Sequence, residues 1–163
     1  MSEPVRTFAV ETLLFLVGLL VTFGLPWLVW RRLRSGRPSV TAPPIVDDGH
    51  GGKVIPLVAT FSGLRGLPWV GFARNSLNPH LVITPHGITY RVLGLRTCSW
   101  ADVASVDVRT LGATVNLGFA FHGSPVTFDA NVGSTVLAAQ TLALLPGNIA
   151  LSDRARSLLT ERR

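Results

Sequence analysis

Charge is scarce in this chain of 163 residues: Asp, Glu, Lys and Arg make up 15% of it, where soluble domains average about 25%. Cysteine occurs once, at Cys98, which excludes a disulfide framework. Phosphate-binding loops, dinucleotide fingerprints and paired carboxylates are missing. His50-Gly-Gly52 has the look of an esterase oxyanion loop, but no Gly-x-Ser-x-Gly nucleophile elbow accompanies it, and linker glycine is the better account. No repeat of fixed period occurs. What the chain does have is apolar bulk: 47% of it is hydrophobic, with a mean hydropathy of +0.40. That abundance of Leu, Val, Ile and Phe excludes disorder over the whole length.

The apolar excess is concentrated early. From Thr12 to Trp30 there are 19 residues without a charge, and counting back to Phe8 gives 23 with Glu11 as the only charged one. At about 1.5 Å per residue such a helix spans roughly 35 Å, enough for a hydrocarbon core of about 30 Å. Trp27 and Trp30 fall where interfacial aromatics are expected. A cleaved signal peptide would begin basic and end on small residues, and neither applies. Four cations follow the span, Arg31, Arg32, Arg34 and Arg37, against Arg6 and Glu3 before it. Cations stay on the cytoplasmic side, so residues 1–7 are expected outside and the bulk of the chain in the cytoplasm. The arginine cluster reads first as this topology signal, and only secondarily as a collector of anionic lipid.

Residues 31–53 read as a basic stop-transfer segment and a Pro/Gly spacer. From about Val54 short apolar stretches alternate with turns, the signature of strands. The candidates are Val54–Phe61, Leu67–Ala73, Leu81–Thr84, Ile88–Leu93, a short piece at Thr97–Ser99, Val103–Thr110, Ala113–Phe121 and Val126–Asp129. Pro85-His-Gly87 predicts a hairpin with Ile88, Tyr90 and Val92 on one face. Ser99-Trp-Ala-Asp102 has capping-box spacing and predicts a single helical turn. Two helices are expected at the end, over residues 133–145 and 154–162. About seven strands followed by helices is an α+β pattern, with residues 54–163 as one domain.

Leu81-Val-Ile-Thr-Pro-His-Gly-Ile-Thr-Tyr-Arg91 and Cys98-Ser-Trp-Ala-Asp-Val-Ala-Ser-Val-Asp-Val108 together resemble the bacterial pleckstrin-homology-like (PH-like) domains. The matching positions are Gly87, Ile88, Tyr90, Trp100, Asp102 and Val103, and the likeness covers roughly residues 54–145. It implies a seven-stranded antiparallel barrel closed by a C-terminal helix, with residues 152–162 as an extra helix. It supplies no catalytic set.

Few groups offer chemistry. His80 and His86 lie near turns, and His122 is remote from both. Zinc sites want tighter spacing with Cys or acidic partners, so no metal or cofactor is expected. Cys98 reads as a small buried residue, because a nucleophile needs a neighbouring base. The net charge of +6 divides evenly between the first 37 residues and the rest. No basic stripe with interleaved aromatics marks a nucleic-acid surface. Arg65 and Arg74 flank one strand, and Arg91 and Arg96 flank Leu93-Gly-Leu95. Such arginines are ordinarily just solvated, but a closed barrel would ring them round one mouth, facing lipid phosphates. The expectation is a non-enzymatic, single-pass inner-membrane protein whose cytoplasmic domain engages a protein partner or the lipid bilayer. The alternatives are a structural subunit of an envelope complex and a membrane hydrolase using His80, His86, His122 or Cys98.

Overall fold

A computed structural model describes residues 44–111 and 114–161, with positions 22 and 24 besides. The chain divides between Ser39 and Val40. Apart from positions 22 and 24, the span expected at residues 8–30 lies outside the described residues, as do Arg31, Arg32, Arg34 and Arg37 after it. Among those described, no helix is long and apolar enough to cross a membrane.

The domain is mostly β. Ten strands are described: β1 Val46–Asp47, β2 Lys53–Val54, β3 Ala59–Leu64, β4 Leu67–Asn75, β5 His80–Thr84, β6 Gly87–Arg91, β7 Leu95–Ser99, β8 Val103–Leu111, β9 Thr114–Phe121 and β10 Val126–Asn131. A 3-10 turn, Trp100–Asp102, precedes β8, and two helices follow, α1 Thr135–Leu142 and α2 Asp153–Thr160. The strands form two five-stranded antiparallel sheets, ordered β1-β2-β5-β6-β7 and β4-β3-β10-β9-β8. This corrects the expectation of an α+β domain built on a seven-stranded PH-like barrel.

Local chemistry explains the difference. Pro56 cannot donate a ladder hydrogen bond, so the stretch taken as one strand splits into β2 and β3. Gly63 does not end β3 but sits in a bulge, where the register against β4 shifts on both sides of it. The glycine-rich tail of the apparent spacer is a hairpin. Asp48 Oδ1 accepts from His50 N and Gly52 N, both at 2.7 Å. Asp47 closes it by taking a hydrogen bond from Lys53 Nζ at 2.7 Å, which also holds its carboxyl below the usual range.

The inner faces of the sheets meet in one core. Tyr90 of β6 stacks on Phe128 of β10, ring centroids 4.2 Å apart, and on Phe121 of β9 at 5.8 Å. Burial, with Cys98 beside it, pushes the Tyr90 hydroxyl up to about 12. Ile88, Tyr90 and Val92 are all buried, as are Val115, Leu117, Phe119 and Phe121, each set repeating every second residue. Ser134 and Ser152 cap the helices, accepting from Leu137 N and Ala155 N. The 3-10 turn carries its capping box, Ser99 N donating to Asp102 Oδ2 and Ala101 N to Ser99 Oγ. The buried Trp100 is fixed by its Nε1–H donating to Thr84 O at 3.0 Å.

Gly87 lies close against β7: a Cβ there would collide with the Cys98 carbonyl oxygen. Neither backbone can retreat without breaking the ladder that pairs Gly87 with Ser99 and Ile88 with Cys98. Gly87→Ala should therefore cost about 1–3 kcal/mol by overpacking. A urea midpoint unchanged from the parent would show that the ladder yields freely.

Candidate functional site

Strand direction sorts the turns into two ends. At one end lie the β1–β2 loop, the Arg65-Gly66 turn, Pro85-His86, the 3-10 turn and the His122–Pro125 turn. Hydrogen bonds join them: His122 N donates to Asp102 O, and Arg65 N to Pro125 O. At the other end lie residues 76–79 between β4 and β5 and residues 92–94 between β6 and β7, because His80 at the start of β5 pairs with Arg91 at the end of β6. Thr60 Oγ1 of β3 donates to Arg91 O at 2.6 Å and ties the two sheets together there.

This second end is apolar and basic. Leu77 is 99% exposed, Leu93 86% and Leu95 55%. Leu77 is held outward by its neighbours. Asn75 Oδ1 accepts from Leu77 N at 3.2 Å and from Asn78 N at 3.0 Å, while Asn75 Nδ2 donates to Asn78 O at 3.0 Å. Three arginines lie near the strand ends on this side. Arg74, near the end of β4, lies over the Phe61 ring with its guanidinium carbon 5.5 Å from the centroid. Arg91 is partly buried, and Arg96 at the β7 edge is exposed and pairs in register with Tyr90.

Of the four arginines expected round one mouth, the fold thus gathers Arg74, Arg91 and Arg96 at one end and sends Arg65 to the other. There Arg65 Nη2 donates to Phe121 O at 2.8 Å. β4 runs from Leu67 to Asn75, so residues on either side of it are separated by its whole length. The histidines are dispersed too: His80 begins β5, whereas His86 and His122 are exposed at the opposite end. Cys98 is half-buried, its thiol 4.0 Å from Tyr90 Oη. No group of three or more His, Cys, Asp or Glu positioned for a metal ion occurs among the described residues.

Two features escaped the sequence reading. One is the leucine trio itself, with Leu77 and Leu93 in turns and Leu95 at the start of β7. The other is a polar cluster on the outer face of the second sheet, where Thr127, Asp129 and Asn131 are buried. Arg109 bridges Asp129 and Asp107, each at 3.1 Å. Thr127 Oγ1 donates to Asp129 Oδ2 at 3.0 Å, and Ser152 Oγ to Asp107 Oδ1 at 2.6 Å. Gly118 leaves the room for it, since a Cβ there would lie 2.8 Å from Asp129 Oδ1. The cluster fastens the start of α2 to β8, and beside it Asn116, in register with Arg109 and Asn131, keeps a buried Oδ1 without a hydrogen-bond partner. No family model matches the chain, and a search of curated proteins returns no match to its sequence.

Proposed function

We infer that this is a non-enzymatic protein, anchored in the inner membrane by residues 8–30, whose cytoplasmic β-domain is an interaction module. Its contact surface is the end bearing Leu77, Leu93 and Leu95. Support for the anchor is the uncharged run Thr12–Trp30 followed by Arg31, Arg32, Arg34 and Arg37. The observation that carries the module is the exposure of Leu77 and Leu93 in two turns and of Leu95 at the start of β7, with Arg74, Arg91 and Arg96 near the strand ends on the same side. Soluble surfaces leave single apolar residues in water freely, whereas a grouped and oriented set marks a contact. Anchoring lets a weak contact suffice, since a short tether holds an effective concentration of roughly millimolar at the bilayer.

A photoreactive amino acid placed at Leu77 or Leu93 in living cells tests this. Adducts with lipid or protein are expected there and not at His86, which is exposed at the opposite end. Equal labelling at both ends, or none at either, overturns the reading. External protease on intact spheroplasts should also leave the β-domain whole, and its digestion would reverse the assigned topology.

A further inference from the structure

We propose that the leucine-bearing end docks on an anionic lipid surface, with Leu77, Leu93 and Leu95 entering the interface and Arg74, Arg91 and Arg96 meeting the phosphates. The proposal rests on the interaction reading above and names its partner.

Charge is the first argument. From Gly49 to Ala101 there is no Asp or Glu, while Lys53, Arg65, Arg74, Arg91 and Arg96 are all cationic. The acids that bound this stretch, Asp48 and Asp102, fold to the opposite end. Sheet one is therefore polarised, acidic at one end and basic at the other. No carboxylate on residues 74–96 opposes an approaching phosphate. Arginine suits the task, because its planar fork meets phosphate oxygens in pairs.

The path of the chain is the second. β1 is antiparallel to β2, and β2 to β5, so β1 runs in the direction of β5. β5 starts at the leucine-bearing end, and the polypeptide therefore comes into the domain from that same end. The thirteen positions 31–43 that separate Trp30 from Pro44 span at most about 45 Å when fully extended. The chain thus enters the domain on its leucine-bearing side, the side proposed to dock.

Shape is the third. Leu77 and Leu93 project from two turns and Leu95 from the start of β7, and the Asn75 hydrogen bonds hold the first turn in place. Convex apolar points need a complementary cavity in a protein partner. A fluid interface accommodates them without one, and exposed leucines with flanking cations are the composition that binds there.

The full-length protein reconstituted into vesicles provides the test. Cys98→Ser removes the native thiol and Gly94→Cys adds one between Leu93 and Leu95, where a side chain meets nothing within 4 Å. An environment-sensitive dye at position 94 should shift to the blue in phosphatidylcholine–phosphatidylglycerol vesicles. It should also be shielded there from the neutral quencher acrylamide. In phosphatidylcholine alone it should report water. Replacing Arg74, Arg91 and Arg96 with Gln together should lower the docked-to-free ratio about a hundredfold, near fivefold for each. Hydrogen exchange on the unsubstituted protein gives a second readout, with amides of residues 76–79 and 92–95 slowed only in the anionic vesicles. A water-like dye and unchanged exchange in both vesicle types overturn the proposal, as does an equal shift in both. If those results coincide with protein adducts at Leu77 in cells, the lipid assignment fails and the module survives. If no adduct forms either, both fail.

Discussion

Phe128→Ala is expected to cost about 3–5 kcal/mol, the range for deleting a buried aromatic ring. Phe128 is 1% exposed and lies on β10, the central strand of the second sheet. Its ring is stacked on Tyr90 from the first sheet, with its cross-strand neighbour Phe119 5.7 Å away. Three penalties therefore fall together: lost transfer energy, an unfilled cavity, and an aromatic pair worth about 0.5–1.5 kcal/mol beyond its area. Domains of this size are stable by about 5–15 kcal/mol, so the substitution takes a large share of the whole. Urea unfolding should show a much lower midpoint at unchanged slope. Leu77→Ala is the control: with a side chain 99% exposed, it should move stability by less than about 0.5 kcal/mol. A Phe128→Ala loss no greater than that of Leu77→Ala would mean that the two sheets are not joined through this stack.

The contrast between those two residues also marks what could be read from the sequence. Period-two runs such as Leu117, Phe119, Phe121 and Ile88, Tyr90, Val92 announce their strands and their buried face, because burial on one side of a pleat imposes the alternation. The β1–β2 hairpin makes no such announcement. It is closed by side-chain bonds of Asp47 and Asp48 to Lys53 and to backbone N–H groups, not by apolar spacing. Gly63 reads as a terminator when only propensity is considered, whereas pairing with β4 and β10 carries the strand through it. The number of strands, and with it the barrel expectation, went astray at this hairpin and at Pro56, whereas Gly63 misplaced only the end of β3.

The basic end was half legible. Arg74, Arg91 and Arg96 are visible as cations beside strand ends, but the partition of Arg65 from Arg74 depends on which way β4 runs. Leu77 and Leu93 are exposed because they occupy turns, and turn composition masks them among ordinary core leucines. Nothing in residue type reveals that Asp107, Arg109 and Asp129, spread over 23 positions, converge on one face. That follows only from the register, in which Gly118 faces both Asp107 and Asp129.

Arg109→Ala should cost about 2–3 kcal/mol near neutral pH, below the roughly 3–5 kcal/mol of a fully buried pair because the Arg109 side chain is 26% exposed. Most of that cost comes from what is left behind. Asp129 is buried, and burial raises its carboxyl above the ordinary 3.8 even with Arg109 and Thr127 pulling the other way. Since the native state holds this proton more tightly than the unfolded chain, the group's contribution is fully present below 3.8 and is lost as pH rises through the native value. Without Arg109 the largest opposing influence disappears, the native value climbs further, and the losing window widens toward neutrality. Asp107, which also raises it, loses its own partner in the same step. Arg109→Ala should therefore regain part of its deficit on acidification from neutral pH towards the carboxylate range, whereas the parent changes less over the same interval. Adding Asp129→Asn should restore stability at neutral pH and flatten the difference, because the amide carries no charge to strand. Urea midpoints at several pH values distinguish the cases. An Arg109→Ala deficit that is constant with pH, or one that Asp129→Asn deepens, would show that the bridge holds the sheet by packing rather than by neutralising a buried carboxylate.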